Sequence, residues 1–287
     1  MNRFSYEEAF SRNRGWVTAE EQALLRTKRV AIAGLGGVGG SHVLTLARLG
    51  IGALNIADFD RFELPNFNRQ AGATVENLDR PKCDVLAAMA RSINPGIELR
   101  TFAGGVDAGN CDDFLAHVDL YVDGLDFFAF AARKLVFGAC ARLGIPATTV
   151  APLGMGAALV NFMPGGMTFE QYFRWEGCSE DEMALRFLVG LSPAMLQRPY
   201  LVDRSAVDLR ARKGPSTAMA CEICAGIAGT EALKILLGRV GVVRAPRAVQ
   251  YDAFRNRLVH TRRRGGNRHP AQRLALAIAR RALARRK

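Results

Sequence analysis

The chain has 287 residues, 49% of them hydrophobic, with a mean hydropathy near zero, enough for one large α/β domain with a buried core. No apolar run reaches the roughly 18–20 residues of a membrane span, the first residues lack the apolar core of a signal peptide, and six scattered cysteines do not make a disulfide framework. A cytoplasmic protein with reduced thiols is expected. Of the 39 Lys and Arg behind the net charge of +12, ten lie between Arg262 and Lys287, where there is no acid, so the body is nearly neutral and the tail strongly basic.

Thr18, with Glu21 three residues on, has capping-box spacing and predicts a helix over 18–27. A short β-rich run over 29–33 predicts a buried strand ending at Gly34. Residues 41–49 read as a helix closed by Gly50 and Gly52, and 53–57 as a second strand. Strand, glycine turn, helix and strand make a βαβ unit with a right-handed crossover. Residues 81–93 read as another helix, stopped by Asn94-Pro95-Gly96. A strand over 97–102 follows, then a buried strand over 120–122 that leads to Asp123 and Asp126. A helix over 128–143 and a strand over 147–150 complete the alternation. The fold class is therefore α/β, a Rossmann-like doubly wound mostly parallel sheet.

The pattern changes after that. Residues 157–162 read as a strand closed by Met163-Pro164-Gly165-Gly166. Residues 167–213 are polar, aromatic and irregular, which suggests a long crossover. A helix over 215–238 returns, rich in small residues suited to close packing. Beyond Pro270, Leu274, Ile278 and Leu283 alternate with arginines as in a basic amphipathic helix. Such a helix can meet nucleic acid, acidic protein or a membrane surface, or stand as a solvated terminus. The organisation expected is one domain over 1–261 and a basic tail over 262–287.

The chemistry concentrates between the first two strands and just after them. Gly34, Gly36, Gly37 and Gly39 form G-x-G-x-x-G between strand and helix, where phosphate can approach backbone N–H groups at a helix N-terminus. Asp58 lies at the distance of a ribose-binding acid in such a unit, with Asp60 beside it. Asn66, Asn68, Arg69 and Gln70 come next, which a nicotinamide enzyme does not need. Arginine offers a planar fork for phosphate oxygens. Lys82 adds a point charge at the next helix start. Together they suit a triphosphate and the charge that develops at a reacting phosphorus. Asp123 and Asp126 follow a buried strand at the edge where α/β sheets bind ligands, and a carboxylate there could hold Mg²⁺. Asp126 could instead cap a helix.

This order of motifs, GxGGxG, then DxD, N and RQ, then K, then D…D, resembles the ThiF/MoeB/HesA family of adenylyltransferases in the ubiquitin-activating superfamily. The likeness covers roughly 10–163 and the helix at 215–238. It implies an adenylation domain over 1–261 and ATP-dependent adenylation of a carboxylate, with Mg²⁺. The substrate it implies is the C-terminus of a ubiquitin-like or sulfur-carrier protein, or a peptide. It places the ribose acid at Asp58, a conserved Asn at Asn66, the phosphate-contacting groups at Arg69 and Lys82, and the magnesium-linked acid at Asp126. It also implies a homodimer in which an N-terminal arginine, Arg12 or Arg14, enters the partner's site. Relatives often carry two CxxC pairs for zinc. Here Cys221 and Cys224 form one pair inside an apolar helix, so no zinc site is expected and both read as small core residues. Cys178 sits in the long crossover among acids that disfavour a thiolate. Three alternatives stay open: a tRNA-modifying dehydratase of the threonylcarbamoyladenosine type, favoured by the basic tail; a non-catalytic binding partner; and a nicotinamide oxidoreductase.

Overall fold

The structure, a computed structural model, describes residues 4–208, 211–212 and 214–284. Five parallel strands form its centre: β1 (Arg29–Ala33), β2 (Ala53–Ala57), β3 (Glu98–Phe102), β4 (Leu120–Asp123) and β5 (Ala147–Leu153). Three antiparallel strands extend the sheet, β6 (Gly156–Phe162), β7 (Arg247–Asp252) and β8 (Arg257–Arg262), in the order β3-β2-β1-β4-β5-β6-β7-β8. The strand order reverses between β1 and β4. In an open α/β sheet that is where a crevice forms outside the carboxyl ends of the strands.

Both faces of the sheet are covered, which is why β1, β2 and β4 are mostly apolar. Along β1, Val30 and Ile32 point into one core and Ala31 and Ala33 into the other. The first core takes α3 (Gly37–Leu49), α4 (Lys82–Ile93) and α9 (Ala218–Leu236), through residues such as Leu46, Leu86 and Ala228. The second takes α5 (Cys111–Phe114), α6 (Phe130–Leu143), α7 (Phe169–Phe173) and α8 (Glu180–Leu191). Its centre is aromatic: Phe169 stacks on Phe137 at 4.4 Å, and Trp175 meets Phe130 edge-on at 5.3 Å. At the N-terminus, α1 (Tyr6–Ala9) and α2 (Ala19–Arg26) precede β1. The capping box expected at α2 is present, with Glu21 N donating to Thr18 Oγ1 and Thr18 N to Glu21 Oε2.

Three expectations need correction. The helix expected from residue 41 starts at Gly37, inside the glycine loop. The crossover over 167–213 is not wholly irregular, because Thr168 caps α7 and Ser179 caps α8 through side-chain oxygens. The C-terminal helix α10 (Pro270–Ala284) does form, but Leu274 and Ile278 stay exposed. It docks on α8 through Leu276, with Ala275 and Ala279, against Leu185 and Val189. Buried Gln272 donates to Val189 O at 2.9 Å, and buried Asn267, just before the helix, donates to Phe173 O and Arg186 O. The side chain of Leu283 lies outside the described residues. No helix among the described residues is long and apolar enough to cross a membrane.

Candidate nucleotide site

Backbone contact too close for side chains builds the glycine loop. Gly34 has φ +81°, and a Cβ there would lie 2.3 Å from Gly124 O. A Cβ on Gly39 would lie 1.8 Å from Gly34 O. Only glycine lets the turn after β1, the first turn of α3 and the end of β4 meet in this way. Gly36 is the N-cap of α3 and makes no side-chain cap, and Gly37 is its first residue. The N–H groups of that first turn lack partners within the helix and carry the positive end of its dipole. The sequence MACEIC at the start of α9 packs against this turn: Cys221 Sγ stands 2.9 Å from a Cβ on Gly37, and Ser41 Oγ donates to Glu222 Oε1 at 2.8 Å.

Asp58, at the end of β2, closes the loop from the other side. Its Oδ2 accepts Leu35 N at 2.6 Å and its Oδ1 accepts Asp60 N at 2.8 Å. Burial raises its carboxyl above the ordinary aspartate value, opposed by the Leu35 N–H and the charge of Lys82. A carboxylate has about four lone-pair directions, so two remain for donors such as ribose hydroxyls. Lys82, the first residue of α4, is almost fully buried. Its ammonium lies 3.0 Å from Asp60 Oδ2, on a carboxylate that is half exposed.

The Asn66–Gln70 stretch lies across the glycine loop. Asn66 Oδ1 accepts Glu63 N at 3.0 Å and so closes its own turn. Asn68 Oδ1 accepts from Arg69 Nη1 at 2.9 Å, and Asn68 Nδ2 donates to Ser216 O just ahead of α9. Arg69 Nη1 also donates to Pro65 O, and the stem of Arg69 passes 3.5 Å from a Cβ on Gly37. Gln70 is buried beside Gly36, and its Oε1 has no partner. An orphaned buried acceptor beside a helix N-terminus is what an absent polar ligand leaves behind.

Asp123 and Asp126 part company. Asp123 is buried and fully engaged: it accepts from Arg133 Nε at 2.9 Å, Thr149 Oγ1 at 3.0 Å and Tyr121 OH at 3.3 Å. Its oxygens are taken by these donors, which leaves Asp126, the acid that the resemblance links to magnesium, as the freer of the two. Asp126 is exposed, and its Oδ1 accepts Phe128 N at 2.9 Å, so it bends the loop ahead of α6. Arg133 was missed in the sequence. Its guanidinium also donates to the carbonyls of Leu125, Asp126 and Phe127, and so fixes the loop that carries Asp126. The available signal was an arginine on the apolar helix that directly follows the two acids. Among the described residues no group of three or more His, Cys, Asp or Glu could hold a metal. A magnesium ion here would use Asp126 together with phosphate oxygens. Cys221 and Cys224 are fully buried in the first core.

Arg12 and Arg14 are not brought to this site within one chain. Their segment is pinned by Asn13 Nδ2 to Gln22 Oε1 and Leu49 O, and by Tyr6 OH to Gly50 O. Those anchors lie at the far end of α3, about 20 Å of helix from the glycine loop. Both arginines are exposed.

A glycine turn on a helix N-terminus, an acid at the next strand end and cationic side chains near the turn are the features of a doubly wound α/β fold at its switch point. The chain belongs to the ThiF family, whose model matches residues 10–274. It is 33% identical over 148 residues to the sulfur carrier protein ThiS adenylyltransferase of Escherichia coli strain K12, covering 52% of this chain and 58% of that protein. The chain thus spans little more than half the length of this curated relative. The crystal structure of E. coli MccB with ATP matches with a TM-score of 0.66 and 18% identity, covering 91% of this chain and 72% of that one. Selenomethionine PaaA matches with a TM-score of 0.68 and 18% identity, covering 91% and 85%. At these identities the two structures show a shared fold.

Proposed function

We propose that this chain is an ATP-dependent adenylyltransferase that activates a carboxylate, the C-terminus of a ubiquitin-like or sulfur-carrier protein or of a peptide. The observation that carries this reading is the stem of Arg69 lying against the first turn of α3, so that a cationic side chain is carried on the segment that crosses the N–H groups that would receive phosphate. The name of the E. coli relative, an enzyme that adenylates the carrier ThiS, supports the substrate class.

ATP is then the co-substrate. The glycine-loop amides of Gly36, Gly37 and Gly39 take phosphate, and Asp58 takes the ribose hydroxyls on its free lone pairs. Asp60 holds Lys82 in place, and Asn66 and Gln70 shape the wall, with the free Gln70 Oε1 open to a donor on the nucleotide. The substrate carboxylate oxygen attacks the α-phosphorus. The bond from that phosphorus to the bridging oxygen breaks, and pyrophosphate leaves with the electron pair. The nucleophile is already ionised, so no side chain needs to remove a proton, and catalysis is positioning and charge stabilisation. Arg69 and Lys82 offset the negative charge that builds on the phosphates. Mg²⁺ at Asp126 would supply further neutralisation. Arg12 or Arg14 would complete the site from the second copy in a homodimer, since neither reaches the site of its own chain.

The basic tail favoured an RNA substrate. Over Pro270–Ala284 the tail is a helix docked on α8, with Arg280 paired to Glu182, and tRNA enters as an arm of the test. That test is ATP–pyrophosphate exchange with Mg²⁺, adding carrier proteins and total tRNA separately, with Arg69→Ala as control. Exchange that requires a carrier protein and vanishes in the variant is expected. Exchange that requires tRNA would move the substrate to RNA, and ATP binding without exchange under any addition would make the chain a binding partner.

A further inference from the structure

A second cavity lies on the far side of the aromatic core, between α7, α8 and α10, with a volume of about 990 Å³. That is at the upper end of the size of small-molecule sites. Arginines dominate its wall, and their charges are unevenly used. Arg186 donates to Glu182 Oε1 at 2.6 Å and also to Arg174 O, while Arg280 Nε donates to Glu182 Oε2 at 3.0 Å. The remaining three, Arg174, Arg268 and Arg273, also line the cavity and make no side-chain hydrogen bond or ion pair among the described residues. Arg174 Nε is buried with no acceptor. Buried N–H donors of an arginine are costly to leave unmade, so this donor calls for an acceptor. Glu170 faces the same space. Its Oε1 accepts Glu176 N at 2.8 Å, and its Oε2 is buried without a donor.

From these residues we infer that the cavity is a binding site for a compact polyanion with phosphate or carboxylate oxygens and at least one hydroxyl or acid proton. The oxygens answer Arg174, Arg268 and Arg273, whose planar forks suit both groups. The proton answers Glu170 Oε2. The cavity is closed on one side by the docked C-terminal helix, which suits a small ligand over a nucleic-acid backbone. It joins the nucleotide side through α8, because Phe187 of that helix packs on Phe127 at 5.2 Å, one residue from Asp126. The inference does not depend on the ATP reading.

Trp175, next to Arg174 and fully buried, provides the reporter. The chain has two tryptophans, and Trp16 is 82% exposed, so Trp16→Phe leaves Trp175 as the sole tryptophan, read by excitation beyond the tyrosine band. Titration of the full chain with tripolyphosphate and, separately, with citrate should give a saturable change in its emission. The stronger of the two identifies phosphate or carboxylate as the preferred group. The Arg268→Ala/Arg273→Ala pair, at exposed positions, should weaken binding at least tenfold, and Arg174→Lys, which keeps the charge and loses the Nε donor, several-fold. Arg69→Ala should leave it unchanged. No saturable response to either anion would overturn the inference, as would equal binding by the double variant. Binding of a single-stranded RNA through these arginines with neither small anion bound would also overturn it. Loss of the response in Arg69→Ala alone would assign the signal to the nucleotide site instead.

Discussion

Lys82 and Asp60 meet at 3.0 Å, the ammonium almost fully buried and the carboxylate half exposed. The pair is asymmetric, because the lysine depends on the aspartate far more than the reverse. Asp60→Asn therefore leaves a buried ammonium without its counterion. Solvent at Asp60 limits the loss to about 1–2 kcal/mol, between the values for exposed and buried pairs. The same substitution removes a negative charge next to the phosphate path, so ATP affinity should hold or rise while the melting temperature falls. Lys82→Met should lower ATP affinity at least tenfold. Calorimetric titration with ATP beside thermal melts separates the two variants. Weaker ATP binding in Asp60→Asn at full folding would show that the placing of Lys82 by Asp60, or a contact of Asp60 itself, outweighs the removed charge.

Arg133 and Asp123 form a pair with both side chains about 2% exposed. Removing one partner strands a buried charge, which costs about 3–5 kcal/mol. Arg133→Met also frees three carbonyls in the loop that carries Asp126. Urea unfolding should show a loss in that range, and pyrophosphate exchange should fall even at a temperature where the variant is folded. A loss below about 1 kcal/mol would mean that the network relaxes around the gap, and the clamp would have no standing.

Much of this architecture was legible in the sequence, for physical reasons. The central strands are buried on both faces, so they read as short, mostly apolar runs such as residues 30–33 and Ala53–Ala57, the latter interrupted only by Asn55. Asn94 and Gly144 mark helix ends that fall where they were expected. The first turn of α3 was hidden because Gly37, Gly39 and Gly40 are poor helix formers, and only tertiary contacts account for them: Cys221 against Gly37, and Gly34 and Gly124 against Gly39. The helix α8 was hidden behind the acidic start SEDE, although Ser179 and Glu182 hold the spacing of a helix start. The β7–β8 hairpin gave little signal, since buried Gln250 and Asp252 break its apolar pattern. The site divides in the same way. The spacing of Gly34 to Lys82 pointed to phosphate chemistry, and those residues do converge. Nothing in the spacing of Asp123 and Asp126 tells which acid is taken, because Arg133 decides it across ten residues of chain.

Cys178 lies in the crossover near Arg174, with its Sγ 3.5 Å from Arg174 O. Burial raises its thiol above the ordinary value, and Glu182 and Glu170 add to this against the arginines nearby. A thiol held up in this way is a poor nucleophile at neutral pH. Cys178→Ser should therefore leave ATP–pyrophosphate exchange unchanged within twofold. The native thiol should react with a disulfide reagent more slowly at pH 7.5 than a free cysteine does. A burst of thiol labelling, or loss of exchange in the serine variant, would place Cys178 in the reaction.

His42, on the second turn of α3, is wholly buried, and neither ring nitrogen has a partner. Burial disfavours the imidazolium and lowers the group from 6.5 to about 4. The unfolded chain protonates this histidine below about pH 6.5, while the folded chain does not until about pH 4. Between those values the unfolded state holds the extra proton, so stability falls as pH falls across that window. The interval corresponds to about 3 kcal/mol when fully traversed. His42→Leu fills similar space without a titrating group, so urea unfolding at pH 7 and at pH 4 should show a drop smaller by about that amount in the variant. Carboxylates contribute equally to both proteins and cancel in the comparison. Equal drops in the two proteins would mean that His42 finds a hydrogen-bond partner in the folded state or charges with little penalty.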